Sequence, residues 1–176
     1  GIPGLISKLL PDLGGINRGY STQDSRTCFQ NSDRSQKIAP VICYESAYGE
    51  YVTEYIKEGA GAIFIITNDG WWKNTKAYKQ HLAYASLRAI ETRRPVLRSA
   101  NTGISCFIDI RGKIISQTEW WIPAVIKGTF NYEDHITPYV RYGDYLMHMA
   151  CLISILTLLV IFVFRPYGDK IVKNRM

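Results

Sequence analysis

The sequence lacks the paired cysteines and clustered histidines that a metal site requires. Its four cysteines stand singly at positions 28, 43, 106 and 151, and its three histidines lie far apart along the chain. A zinc site takes cysteine or histidine ligands that usually come in closely spaced pairs. We therefore expect no metal and no other cofactor, and we interpret the histidines as ordinary polar or interfacial residues.

The sequence also lacks a concentrated run of basic residues. Its formal net charge is +6, but the basic residues are scattered and part of the excess lies near the C-terminus. Nucleic-acid-binding domains gather Lys and Arg on one face, so we expect no nucleic-acid partner. We interpret Arg88, Arg93, Arg94 and Arg98 as a solvated face that pairs with Glu91 or meets lipid headgroups.

One long uncharged segment lies near the C-terminus. Residues 145–164 form 20 consecutive positions without a charged side chain, and a helix of that length crosses about 30 Å of bilayer. The segment is apolar on all sides and is followed by Arg165 and Pro166, so we interpret it as a membrane span that ends there, not as a buried core helix. Four basic residues and one acidic residue follow, which places the C-terminus in the cytoplasm by the positive-inside rule.

This topology divides the chain into three parts. Residues 1–143 form a domain on the extracytoplasmic side, residues 144–165 form the membrane helix, and residues 166–176 form a basic cytoplasmic tail. The chain begins at Gly1 without a signal peptide, although its first part must be exported. We therefore expect it to be the C-terminal piece of a longer, multi-pass membrane protein.

Hydrophobic periodicity predicts alternating strands and helices after a loop-rich start over residues 1–36, which holds a short helix near residues 5–10. The predicted strands are 38–42, 62–67, 96–99, 104–110, 113–117 and 124–130, and the predicted helices are 46–58 and 76–93. The second helix is expected to pack through Ala83, Leu87, Ala89 and Ile90. Strands that alternate with helices and then follow one another indicate a layered α/β domain.

Cys43 lies where the first predicted strand turns toward the first predicted helix, a position that suits a nucleophile. The N–H groups at a helix N-terminus stabilise a thiolate. Alternatively, Cys43 is a small buried hydrophobic residue, as most free cysteines are, and its position alone leaves both interpretations open. Cys106 alternates with isoleucines in a strand and Cys151 lies in the membrane segment, so we interpret both as structural.

A second candidate loop, Asn-Asp-Gly-Trp-Trp at residues 68–72, follows the next strand. Ligands gather at the carboxyl ends of parallel strands, so this loop and Cys43 are expected at the same edge of the sheet. The loop could be a plain turn whose tryptophans pack in the core. Two consecutive tryptophans are difficult to bury together, so we expect one of them to line a site or to contact lipid.

Three motifs together resemble one family. They are Pro-Val-Ile-Cys-Tyr-Glu-Ser at residues 40–46, the loop at 68–72, and Arg-Ser-Ala-Asn-Thr-Gly-Ile-Ser at 98–105. In this order, with the terminal helix, they are similar to the C-terminal part of the apolipoprotein N-acyltransferases, the membrane branch of the nitrilase superfamily. The resemblance implies an α/β fold that is part of a nitrilase-like α-β-β-α sandwich, followed by one C-terminal transmembrane helix. It also implies a multi-pass protein of the bacterial inner membrane with a periplasmic catalytic domain.

The resemblance implies a Glu-Lys-Cys triad in which Cys43 is the nucleophile. Tyr44, Glu45 and Trp71 match residues that bind substrate or support the site in that family. The implied partners are a phospholipid acyl donor, an apolipoprotein acceptor and the lipid bilayer.

The triad is incomplete in this chain. The family's glutamate and lysine lie upstream, whereas this chain has no glutamate before Glu45 and only Lys8 and Lys37 as earlier lysines. Lys37 precedes the strand that leads to the nucleophile and should lie at the far end of that strand. We therefore expect this chain alone to be inactive, with apolar strand residues such as Ile63 and Ile65 poorly covered.

The implied reaction moves a fatty acyl chain from a phospholipid, through a cysteine thioester, to the N-terminal S-diacylglyceryl cysteine of an apolipoprotein. Two alternatives stay open. One is a membrane-tethered hydrolase of the nitrilase or amidase type, and the other is a non-catalytic membrane-anchored domain. The apolar helix and the tryptophan pair favour a lipid substrate over a small soluble one.

Overall fold

The computed structural model describes residues 25–173, with side chains described through residue 163. The short helix expected near residues 5–10, Lys8 and residues 174–176 lie outside the described residues. The strands are β1 Phe29–Gln30, β2 Lys37–Ile42, β3 Ala62–Asn68, β4 Val96–Asn101, β5 Cys106–Ile108 and β6 Ile114–Gln117. The α-helices are α1 Gly49–Lys57, α2 Lys76–Thr92, α3 Pro138–Tyr142 and α4 Tyr145–Lys173, and two 3₁₀ helices span Cys43–Ala47 and Asp69–Trp72.

The strands form one mixed sheet in the order β1-β2-β3-β4-β5-β6. Strands β2, β3 and β4 are parallel, and the remaining neighbours are antiparallel. Helices α1 and α2 make the crossovers that parallel strands require. All three parallel strands therefore end at one edge of the sheet, here called the carboxyl edge, where Cys43 and the 68–72 loop follow β2 and β3.

Helices α1 and α2 cover one face of the sheet. Because side chains alternate along a strand, Ile63 and Ile65 point toward the helices and are only 0% and 1% exposed. The expectation that these two residues are poorly covered was wrong. On β2 and β3, the exposed apolar residues are Ile42 and Ile66, which alternate onto the other face and are 59% and 57% exposed.

The strand predicted over residues 124–130 does not form. This segment has no regular secondary structure and no ladder with a neighbouring strand. Phe130, at the end of the segment, packs against the open face of the sheet, where it meets Phe64 edge-on with ring centroids 5.9 Å apart, and Gly128 lies beside the ring of Phe107. Val125, in contrast, is 96% exposed. The segment therefore reaches the sheet face near its end without joining the ladder.

Helix α2 matches its predicted span to within one residue but buries a different face. Thr75 caps it by accepting a hydrogen bond from the Ala77 N–H at 3.3 Å. Leu87 and Ile90, which were expected to pack, are 40% and 45% exposed. The buried residues of the helix are Tyr78, His81, Ala85, Arg88, Ala89 and Thr92, so polar side chains make up much of its inner face.

Helix α4 contains the candidate membrane span, residues Tyr145–Val163, which is long and apolar enough to cross a bilayer and is not buried against the domain. The helix itself continues beyond Pro166 to Lys173, whereas the apolar span within it ends at Val163, just before Arg165. Proline is tolerated within membrane helices. The Asp144 N–H donates to Glu50 Oε1 at 3.0 Å, which ties the start of the span to the first turn of α1.

Candidate active site

Cys43 follows the last residue of β2 and is the first residue of a 3₁₀ helix. Its φ of 51° lies in the left-handed region, which costs a residue with a Cβ about 1–2 kcal/mol. Such strain gathers at functional sites. The structure confirms a strand-to-helix turn at Cys43, although the predicted helix over 46–58 is divided into this 3₁₀ turn and α1. We call the turn over residues 42–46 the elbow.

Glu45 stabilises the elbow by accepting two hydrogen bonds. Its Oε2 accepts a hydrogen bond from the Ile42 N–H at 2.7 Å, and its Oε1 accepts one from the Tyr51 hydroxyl at 2.5 Å. Burial, and then this hydrogen bond, raise the pKa of Tyr51, so the hydroxyl stays a donor. Both carboxylate oxygens of Glu45 are thus engaged with the protein's own groups. Its geometry suits a supporting role.

Of the aromatic residues at the carboxyl edge, Tyr44 and Trp71 are exposed to solvent and Trp72 packs against the domain. Tyr44 and Trp71 are 52% and 65% exposed. Trp72 is half-buried and packs edge-on against His81, with ring centroids 4.9 Å apart. Trp71 is therefore the tryptophan of the pair that stays accessible to a ligand or to lipid.

The Cys43 thiol is half-buried and lies beside Thr67, a buried residue near the end of β3. Thr67 Oγ1 lies 3.3 Å from Cys43 Sγ and 3.3 Å from Asp69 Oδ1. Its single hydroxyl hydrogen can donate to either acceptor, and when it donates to sulfur it stabilises a thiolate. No carboxylate, amine or imidazole hydrogen-bonds this sulfur among residues 25–163. Lys37 lies at the far end of β2, as expected, where its Nζ donates to the Glu58 carbonyl at 2.9 Å.

A buried ion pair lies beneath the carboxyl edge. Arg98, on β4, donates to Asp69 Oδ2 at 2.7 Å and to Oδ1 at 2.9 Å, and His81 Nδ1 lies 3.0 Å from the same Oδ1. Burial acts to raise the pKa of the Asp69 carboxyl, but hydrogen bonds from His81 and Arg98 outweigh it and hold this pKa below its usual value. Asp69 is therefore ionised at neutral pH.

His81 connects this ion pair to the elbow. Its Nε2 lies 3.1 Å from the Cys43 carbonyl oxygen and 3.0 Å from Ser46 Oγ, and Ser46 donates to the same carbonyl at 2.8 Å. The interpretation of His81 as an ordinary polar residue missed this contact. The spacing of His81, Ala85 and Arg88 on one helical face was the signal that could have identified it as buried.

The arginines do not form the solvated face that the sequence suggested. Arg88, Arg94 and Arg98 are only 3%, 1% and 3% exposed, so that interpretation was wrong for three of the four. Arg88 does pair with Glu91, at 2.9 Å. Arg94 donates to backbone carbonyls, the shortest bond being 2.7 Å to His135. Arg88 Nε and Arg98 Nε are buried without a hydrogen-bond partner among the described residues. These three guanidinium groups face the interior of the domain and do not contact headgroups.

The other cysteines of the described region differ from Cys43. Cys106 is 1% exposed in β5, and burial raises its pKa to about 11. Cys28 packs against the core and donates to the Tyr55 carbonyl at 3.4 Å. All four cysteines are free. Within the part of the chain that the structure describes, no group of acidic, cysteine or histidine residues is arranged to hold a metal.

Comparison with known proteins gives a consistent picture. The sequence profile of the carbon-nitrogen hydrolase family matches residues 7–135. The apolipoprotein N-acyltransferase of Chlorobaculum tepidum is 36% identical over 147 residues, which cover 82% of this chain and 28% of that protein. The apolipoprotein N-acyltransferase of Photobacterium profundum is 34% identical over 131 residues, or 74% of this chain and 25% of that protein. The chain thus spans about a quarter of the length of these relatives.

Solved structures share the fold at low sequence identity. An amidase from Nesterenkonia sp. AN1 superposes with a TM-score of 0.53 and 14% identity, covering 74% of this chain and 51% of the amidase. A mutant of that amidase with acrylamide added at its active-site cysteine gives a TM-score of 0.50 and 14% identity, with 74% and 50% coverage. These similarities show a nitrilase-like α/β fold with a mixed sheet.

Proposed function

The chain belongs to the carbon-nitrogen hydrolase family, and from this premise we propose that Cys43 is the nucleophile of an N-acyltransferase that acts in lipoprotein maturation. The observation that carries the proposal is the strained elbow at Cys43, beside a hydroxyl donor, in a chain whose relatives are named N-acyltransferases. The activity belongs to the full-length protein, of which this chain supplies the nucleophile, the elbow and one candidate membrane span.

The proposed reaction has two halves. The Cys43 thiolate attacks the ester carbonyl carbon of a phospholipid acyl chain, and the C–O bond breaks. The base of the full-length protein that removed the proton of the Cys43 thiol gives that proton to the departing lysophospholipid oxygen, and the acyl chain remains on sulfur as a thioester. The α-amine of an apolipoprotein's S-diacylglyceryl cysteine then attacks the thioester carbonyl. An amide forms, the C–S bond breaks, the amine proton passes to the same base, and Cys43 is regenerated as the thiolate.

Three neighbours of Cys43 support these steps. The Thr67 hydroxyl, 3.3 Å from Sγ, stabilises the thiolate before attack and after release. The Tyr44 backbone N–H stabilises the oxyanion of each tetrahedral intermediate, a contribution whose loss typically costs about 10²- to 10³-fold in rate. The exposed rings of Tyr44 and Trp71 contact the acyl chains. Metal and cofactor play no part in this scheme.

The position of the membrane helix favours a lipid substrate. The start of α4 is tied to Glu50, and Glu50 lies in the first turn of α1, directly after the elbow. Tyr145, the first residue of α4, lines a groove with Glu91 and Arg93 at the C-terminal end of α2, so the span begins beside α1 and the end of α2. We propose that the domain lies on the periplasmic side of the inner membrane, with the C-terminus in the cytoplasm.

The first experiment looks for the acyl-enzyme. The full-length protein in detergent is incubated with a phospholipid that carries an isotope-labelled acyl chain, without an acceptor. We expect one acyl group on Cys43, detected by mass spectrometry of the peptide and removed by neutral hydroxylamine because thioesters are labile to it. Addition of an S-diacylglyceryl cysteine peptide should move the label to its α-amine. Label released only as free fatty acid would instead support the hydrolase alternative, and no adduct with correctly folded protein would refute the mechanism.

A second experiment tests orientation. Because basic residues predominate after the span, alkaline phosphatase fused after Met176 should be inactive and green fluorescent protein fused there should fluoresce. Alkaline phosphatase inserted at the exposed turn over residues 31–34 should be active. The reverse pattern would contradict the proposed topology and place Cys43 on the cytoplasmic side.

A further inference from the structure

His81 makes contacts that the proposed chemistry does not require. It is 2% exposed, lies 38 residues from Cys43 in sequence, and presents both ring nitrogens to oxygen atoms. We propose that His81 is a positioning residue whose Nε2–H donates a hydrogen bond to the Cys43 backbone carbonyl and thereby fixes the direction of the thiol. This proposal rests on the proposed role of Cys43 as the nucleophile.

The partners of the ring indicate which nitrogen carries the hydrogen. Nε2 lies 3.1 Å from the Cys43 carbonyl oxygen, and a carbonyl oxygen only accepts. Ser46 has a single hydroxyl hydrogen, and it donates to the same carbonyl at 2.8 Å. An Nε2 without hydrogen would therefore place its lone pair against the lone pairs of the carbonyl. A hydrogen on Nε2 avoids this repulsion and adds a second hydrogen bond to the carbonyl. Because Asp69 Oδ1 also only accepts, Nδ1 carries a hydrogen as well, so the proposed ring holds a hydrogen on both nitrogens and its positive charge lies against the Asp69 carboxylate.

The other side of the ring is anchored. His81 Nδ1 lies 3.0 Å from Asp69 Oδ1 and 3.2 Å from the Arg98 guanidinium, and Trp72 packs edge-on against the ring. A carboxylate that contacts one nitrogen of an imidazole fixes the orientation of the ring and hence the direction of the other nitrogen. The buried ion pair thus holds Nε2 in place beneath the elbow.

The Cys43 carbonyl needs such a donor because the residue adopts a left-handed conformation, with φ of 51°, that residues with a Cβ disfavour. Hydrogen bonds from His81 and Ser46 to its carbonyl favour this conformation over the alternatives. The conformation in turn keeps Cys43 Sγ 3.3 Å from the Thr67 hydroxyl. A nucleophile displaced by about 1 Å can lose roughly 100-fold in rate, so the effect of His81 on catalysis acts through geometry.

Two substitutions separate this role from simple packing. In His81→Gln the amide nitrogen can stand where Nε2 stood and donate to the Cys43 carbonyl. In His81→Asn the amide nitrogen stands near the former Nδ1 and meets only Asp69. In the full-length protein we expect His81→Asn to lower kcat about 10- to 100-fold with little change in KM, and His81→Gln to retain most of kcat. The rate at which iodoacetamide alkylates Cys43 should likewise be much lower in His81→Asn than in the wild-type protein, and close to the wild-type rate in His81→Gln.

The outcomes distinguish the alternatives. If the two variants have equal kcat and equal alkylation rates, His81 only fills space and the proposal is overturned. This holds whether or not their melting temperatures differ. If the wild-type protein transfers no acyl chain, the proposed function fails, whereas the alkylation rates still test His81. NMR of the wild-type protein with ¹⁵N-labelled histidine tests the hydrogen bond without any variant. We expect a hydrogen directly bonded to His81 Nε2, and an Nε2 without hydrogen would refute the proposed hydrogen bond.

Discussion

Cys43→Ala should abolish acyl transfer in the full-length protein, with a fall in kcat of roughly 10⁶-fold, the size seen when the nucleophile of a covalent mechanism is removed. Without the sulfur no thioester can form, and no other thiol in the described domain can replace it. Cys106 is buried and its thiol has a raised pKa, and the Cys28 thiol donates a hydrogen bond to the Tyr55 carbonyl of α1. The measurement is N-acylation of a diacylglyceryl lipopeptide, followed by mass spectrometry.

Two matched cysteine variants control for loss of a thiol as such. Cys106→Ala and Cys151→Ala remove sulfur from a core strand and from the membrane span, both away from the elbow. They should keep most of the activity. Acyl transfer by Cys43→Ala at a rate near that of these controls would exclude a Cys43 thioester.

Asp69→Asn should destabilise the domain more than any exposed substitution. It removes the carboxylate that neutralises Arg98 and contacts His81, and it leaves a guanidinium group buried without a counter-charge. Breaking one partner of a buried pair costs about 3–5 kcal/mol. For a domain of this size, 1 kcal/mol corresponds to about 2–4 °C in melting temperature, so a fall of roughly 6–20 °C is expected in a thermal melt of the full-length protein in detergent.

The control for this prediction is Asp134→Asn. Asp134 is exposed in the extended segment before α3, where loss of one charge should change stability by less than about 0.5 kcal/mol. A melting temperature for Asp69→Asn that equals that of the control would contradict the buried ion pair. Iodoacetamide labelling of Cys43 in the same samples would report whether the elbow changes together with stability.

The sequence predicted the regular elements well where the pattern is local. The apolar runs located β2, β3 and β4, and helix α2 was predicted to within one residue of its end. Three motifs identified the family, and the strand-to-helix position of Cys43 followed from periodicity alone. Local patterns failed at residues 124–130, where a strand was predicted and none forms.

The sequence by itself determined the α/β order of elements, the edge at which Cys43 and the 68–72 loop meet, and an apolar helix long enough to span a bilayer. Only the tertiary structure decided the left-handed φ of Cys43 and the burial of His81 and Arg98. The physical reason is distance along the chain. Asp69 is separated from His81 by 12 residues and from Arg98 by 29, so no local pattern shows that these charges compensate one another. A charged side chain in a sequence is expected in solvent unless a partner is present, and here the fold supplies the partner.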